Sequence, residues 1–177
     1  MTISHSIPYG PPRPDDTMLA VGMVKILRLY ISAGHNFFGR HGRPPGQKPI
    51  VEVASVECIA GRGLRGDRFF DYKEGYKGQI TFFASAVYED LCRQLDIHDK
   101  QTGALRRNAL TRGIDLNTLI GRTFQVQGIQ FRGVAECSPC YWMNTAFGPG
   151  AEDALSGHGG LRARILNSGT LWSDGMV

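Results

Sequence analysis

Apolar positions along the chain recur mostly at every second residue, in short runs closed by glycine, and this pattern predicts strands. Residues 18–32 carry one such run, with Val24, Ile26 and Leu29 as core candidates. Residues 50–59 carry a second, with Val51, Val53, Val56 and Ile59 available for burial. Short strands follow at 79–83 and 106–111. Phe124 and Val126 alternate with Gln125 and Gln127, Gly128 turns the chain, and residues 129–135 return. Leu161, Ala163 and Ile165 alternate with Arg162 and Arg164, and residues 170–172 form a last strand after the Asn167-Ser168-Gly169 turn. A helical period is present only at 85–95, where Val87, Leu91 and Leu95 fall four apart, with a short helical turn at 114–120.

Many short strands, few helices and glycine-marked turns predict a mainly β fold, a barrel with one or two short peripheral helices, rather than a βαβ repeat. Residues 1–17 carry Pro8, Pro11, Pro12 and Pro14 and read as a flexible arm, leaving 18–177 as one domain. Residues 35–49 are rich in Gly and Pro and predict a long loop, a length that is usually functional. No run approaches the roughly 20 apolar residues of a membrane span, and the polar start is no export signal, so a cytoplasmic location is expected. The formal charge of +4 comes mostly from arginine, whose planar fork suits phosphate and carboxylate. The basic residues form no dense run, which points to an anionic small molecule rather than nucleic acid.

Three local features could carry chemistry. Gly61-Arg62-Gly63-Leu64-Arg65-Gly66 fits GxGxxG after a strand, but no amphipathic helix follows, so it reads as an arginine-bearing loop rather than a dinucleotide site. His35, His41 and His158 are scattered, and with one CxxC pair they make a weak zinc signal. Cys137-Ser138-Pro139-Cys140 is the sharpest feature. It fits a redox dithiol, although Gly148, Pro149 and Gly150 stop any following helix early. Cys58 and Cys92 read as packing residues.

In order and spacing, Gly63-Leu64-Arg65-Gly66-Asp67-Arg68, Arg106-Arg107-Asn108 with Gly113-Ile114-Asp115-Leu116, Glu136-Cys137-Ser138-Pro139-Cys140, and Gly159-Gly160-Leu161-Arg162-Ala163-Arg164 resemble the MOSC domain, the C-terminal module of molybdenum cofactor sulfurases. The resemblance implies that the chain binds molybdenum cofactor, with Cys140 as the catalytic thiolate and metal ligand. Cys137 occupies a position that many members fill otherwise. Arg106, Arg107, Asn108, Cys137, Arg162 and Arg164 become candidate cofactor contacts, the arginines for a phosphate and Asn108 for the pterin. The family's closing Gly-Asp is Asp174-Gly175 here. No pyridoxal-phosphate domain is present, so the chain is not expected to make persulfide sulfur itself. Two uses of such a site are implied: reduction of N-hydroxylated small molecules with electrons from a partner protein, or carriage of the cofactor or of sulfur on Cys140. The dithiol oxidoreductase remains a third reading.

Overall fold

The computed structural model describes residues 19–20, 24–38, 40 and 42–175. The expected arm at 1–17 lies outside the described residues, as do Met18 and His41.

Eleven strands dominate the described residues: β1 (Leu19–Ala20), β2 (Lys25–Ile31), β3 (Val51–Val53), β4 (Ser55–Ile59), β5 (Gly63–Leu64), β6 (Ile80–Ala84), β7 (Ala109–Arg112), β8 (Thr123–Val126), β9 (Ile129–Glu136), β10 (Leu161–Ile165) and β11 (Gly169–Trp172). The helices are α1 (Ser85–Gln94), α2 (Trp142–Phe147) and α3 (Ala151–Ala154), with 3-10 turns at Thr102–Leu105 and Leu116–Leu119. The fold is mainly β, as the alternation predicts. The expected closed barrel is not what the strand pairing gives. Eight strands form one sheet in the order β1-β8-β9-β10-β6-β7-β2-β3, and β11-β4-β5 form a second.

Two strand boundaries also differ from the pattern. The apolar run at 50–59 breaks at Ala54, so that β3 pairs with β2 and β4 pairs with β11 in the other sheet. Val51, expected in the core, is 46% exposed. At the other boundary, Arg106, Arg107 and Asn108 precede β7 instead of opening it.

The two sheets enclose the main core. Val56, Cys58, Leu64 and Leu171 from the small sheet meet Ile26, Leu29, Phe82, Phe124 and Phe131 from the large one. Phe82 holds the centre, with ring centroids 5.6 Å from Phe124 and 5.2 Å from Phe131. A second cluster lies on the other face of β6 and β7, where Phe83 and Leu110 pack with Leu91, Met143, Phe147 and Leu155 of the helical layer. Strand β6 is therefore covered on both faces, which explains why residues 80–83 are all apolar or small. Gln79, at its start, is buried but satisfied: it donates to Gly61 O and accepts from Ile165 N.

Candidate functional site

A cleft of about 180 Å³ opens where the ends of β6 and β10, the segment before β7, the Cys137–Cys140 loop and the loop at 33–48 converge. The glycine pair Gly159-Gly160 sets this geometry. A Cβ on Gly159 would stand 2.4 Å from Cys137 O, and one on Gly160 2.4 Å from Phe82 O. Only glycines let the chain entering β10 lie this close to the cysteine loop and to β6. Cys137 N donates to Gly160 O, and Glu136 accepts from Gly159 N. The loop is thus pinned at its first residue. At its other end Met143 N donates to Cys140 O as α2 begins.

The structure brings Cys137, Cys140, Arg106, Arg107 and Arg162 together as lining of this cleft. Cys140 is exposed, whereas Cys137 is buried, and both are free thiols. Burial works against the charge on Arg162. The attraction and hydrogen bond of Cys137, with a smaller contribution from Tyr76, raise its pKa nonetheless. Arg164, two residues further along β10, is not among the lining residues.

Arg106 and Arg107 do different work. Arg106 ends the 3-10 turn in the left-handed region, at φ 56° and ψ 33°, an uncommon position for a side chain other than glycine, asparagine or aspartate. The reversal sends two consecutive side chains to opposite walls. Arg106 Nη2 donates to Gly34 O at 3.1 Å, and its guanidinium lies 5.2 Å from the Phe37 ring centre. Arg107 donates to Gly159 O at 2.9 Å, Leu105 O at 3.0 Å and Cys137 O at 2.8 Å. Three of its five N–H donors go to carbonyls, so it clamps the cysteine loop to the strand ends. Asn108 is buried and spent inside the protein. Its Oδ1 accepts from Thr81 N and Thr81 Oγ1, and its Nδ2 donates to Tyr30 O and Asp67 Oδ2. It bridges β2 and β6, a structural place that differs from the ligand-facing one expected for it.

Sequence reasoning missed several lining residues. Arg68 stands among the candidate arginines: its Nη1 lies 3.3 Å from Asp67 Oδ2 and its Nη2 donates to Arg106 O. Burial, opposed in part by Asp67, lowers the Arg68 pKa. Burial and the neighbouring Arg68 bring Arg106 down to about 10. Both remain cations at neutral pH. Arg62 and Arg65, from the same glycine-rich loop, are instead exposed and paired with Asp71 and Glu57. The signal for Arg68 was its place after the Gly66-Asp67 turn.

The loop at 33–48 supplies the rest. Asn36 ties it into a closed unit, donating to Lys48 O and accepting from Lys48 N, both at 2.8 Å. That brings His35, Phe37 and Phe38 to the cleft, where Phe37 packs on Trp142 at 4.6 Å between centroids. Burial, then Arg68 and Arg106, lower the His35 pKa.

Four arginines and no carboxylate line the cleft. Such a lining favours an anion, and an exposed thiol beside it offers one soft ligand to a metal that brings its remaining ligands along. Among the described residues no three His, Cys, Asp or Glu side chains gather as a zinc site requires.

The arginine, cysteine and Gly159-Gly160 segments of this cleft fall within residues 67–174, which match the model of the MOSC domain, while the wall at His35 to Phe38 lies outside that span. The chain belongs to the MOSC domain family, whose members are associated with binding of molybdenum cofactor. The YuaD protein of Bacillus subtilis has a similar fold, at TM-score 0.64 and 16% identity over 85% of this chain and 91% of that one. YiiM of Geobacillus stearothermophilus is similar at 0.61 and 16%, over 84% and 71%. YiiM of Escherichia coli is similar at 0.57 and 18%, over 83% and 66%. Among curated proteins none matches significantly. No helix among the described residues is long and apolar enough to cross a membrane.

Proposed function

We propose that the chain holds molybdenum cofactor in this cleft, with Cys140 as the thiolate on the metal, and reduces N-hydroxylated small molecules. The observation that carries the reading is an exposed cysteine beside four arginines with no carboxylate among the lining residues. A thiolate is a soft ligand suited to molybdenum, and a thiol that coordinates a metal would be held deprotonated by it. Arg68 and Arg106 face the anionic part of the cofactor, while Arg107 keeps the cysteine loop in register. The cleft's 180 Å³ is below the roughly 300–1,000 Å³ of pockets that engulf a drug-sized ligand. The pterin is therefore gripped at one end, with the loop at 33–48 shifting to admit it.

When bound, the metal centre supplies the two-electron chemistry. In the overall reaction an N-hydroxyl compound takes up two electrons and two protons, its N–O bond breaks, and amine and water leave. His35, at the cleft wall, can take up one of those protons at its imidazole nitrogen and pass it on. Phe37 and Trp142 keep bulk water from the inner end.

The test is metal and pterin analysis of chain made in a host with intact cofactor synthesis. Molybdenum and pterin near one per chain are expected, with loss in Cys140→Ser and milder loss in Cys137→Ser. Cofactor retained without any reductase activity supports the carrier reading. Equal and complete loss of function from both changes, with no pterin bound, supports dithiol chemistry, since each sulfur is then needed.

A further inference from the structure

We infer that the rim of the cleft is a docking surface for an acidic electron-carrier protein, read by exposed Phe38 and Tyr72 flanked by unpaired cations. This rests on the proposed reductase reading, which needs an external electron source.

The two aromatics form one patch. Phe38 is 69% exposed and Tyr72 41%, and both pack on His35, at 5.4 and 6.1 Å between centroids. His35 and Phe38 line the cleft, so the patch lies at its mouth. Flanking it in sequence stand Arg40, Arg43, Lys48, Lys73 and Lys77, all exposed. The first two lie in turns closed onto Phe37 O and Arg40 O, and the Lys48 stem crosses Gly34, whose added Cβ would meet it at 2.6 Å. Segments 33–49 and 72–78 hold these five cations and one carboxylate, Glu74. The surplus of four equals the formal charge of the whole chain, so the remaining residues balance.

Density of unpaired cations sets this rim apart, since exposed Lys25, Lys100 and Arg122 also form no ion pair among the described residues but are scattered. Arg28, Arg62, Arg65, Arg93 and Arg112, exposed elsewhere, each face a carboxylate. None of the five rim cations forms an ion pair among the described residues. Unpaired basic residues flanking exposed aromatics in the same two segments match an interface with a hydrophobic core and a charged margin that steers an acidic partner. The location favours a carrier protein over an anionic membrane. Electron transfer falls steeply with distance, so a carrier must come to the mouth, whereas a bilayer seated there would seal it from substrate.

The full chain without cofactor, titrated with an acidic plant-type ferredoxin as probe, tests this by surface plasmon resonance. Binding is expected at 50 mM salt, weakening steeply by 300 mM. Arg40→Glu with Arg43→Glu, or Lys73→Glu with Lys77→Glu, should slow association by roughly tenfold or more. Phe38→Ala should speed dissociation, and Lys25→Glu with Arg122→Glu should change neither rate. Binding to neither ferredoxin nor an acidic flavodoxin overturns the inference. So does sedimentation with phosphatidylserine vesicles, sensitive to the same substitutions, in the absence of carrier binding. Because docking is measured without cofactor, a chain that docks but never holds molybdenum removes the proposed function and leaves the surface standing. A chain that holds molybdenum but does not dock does the reverse.

Discussion

Truncating Asn108 to alanine separates a structural amide from a ligand-reading one. The side chain joins two strands that otherwise lack a shared ladder at this level: Thr81 N donates to its Oδ1 at 3.0 Å and Tyr30 O accepts from its Nδ2 at 3.2 Å. Asp67 keeps partners in Ser32 N and Phe69 N when the amide is gone. Thr81 N–H and Tyr30 C=O lose the partner the amide gave them, in a buried setting. Each stranded group costs about 1–3 kcal/mol, so Asn108→Ala should lose roughly 2–6 kcal/mol. For a chain of this size that is about 5–20 °C in Tm. The assay is thermal unfolding of the cofactor-free protein by circular dichroism. Asn108→Asp adds a directional check. It keeps the acceptor for Thr81 but puts a second carboxyl where Nδ2 lay 3.3 Å from Asp67 Oδ2. Burial and that neighbour raise the folded pKa of the new carboxyl above its unfolded value of about 3.9. Its penalty is therefore full above the raised value and vanishes below about pH 4, so variant and parent converge on acidification. The reasoning is refuted if cofactor-free Asn108→Ala melts within about 1 °C of the parent while cofactor retention collapses.

Arg106→Ala should lower the Tm of the cofactor-free protein less than Arg107→Ala, since only one carbonyl, Gly34 O, loses a donor and the repulsion from Arg68 is relieved, yet weaken cofactor binding by about tenfold or more. Arg107→Ala should lower the Tm in the same assay, because three carbonyls lose their donor. With a thiol-specific chromogenic reagent at pH 8, exposed Cys140 should label first and buried Cys58 only on unfolding. Burial pushes the Cys58 thiol up to about 12 from an ordinary value of 9.0, so its folded state resists ionisation that the unfolded chain undergoes. Its contribution to stability is present below pH 9 and is lost progressively towards pH 12, which denaturant titration across that range will show.

The alternation at 124–135 and 161–165 and the four-residue spacing in α1 were legible because burial on one face imposes a period. The break at Ala54 shows only as a change of phase, from Val51 and Val53 to Val56 and Cys58, which a count of apolar residues does not register. Nor could the pattern show that Val51 faces outward on an edge strand. Around the site, the CxxC spacing and the arginine pair were visible. The division of labour between Arg106 and Arg107 depends on a single left-handed residue that nothing in the composition marks. Asn108 was misplaced because an amide that bridges strands and an amide that reads a ligand look the same in sequence. His35 and Phe37 lie in a loop without period, and they reach the cleft through the Asn36–Lys48 ties and by packing on Phe69 and Trp142.

Asp174 accepts from Ile26 N and its own N–H donates back to Ile26 O, pairing residues 148 positions apart, while β11 completes the small sheet against β4. A chain emerging from the ribosome therefore carries β4 with one edge open, and β2 with one edge of its start open, until residue 174 has been made. Pairings this distant in sequence close late and make folding slow. The apolar strands exposed meanwhile, Ile80–Ala84 among them, are open to association with other nascent chains. Yield in the cell should then depend on how long those edges wait, through growth temperature and chaperone supply, more than on the stability of the finished protein.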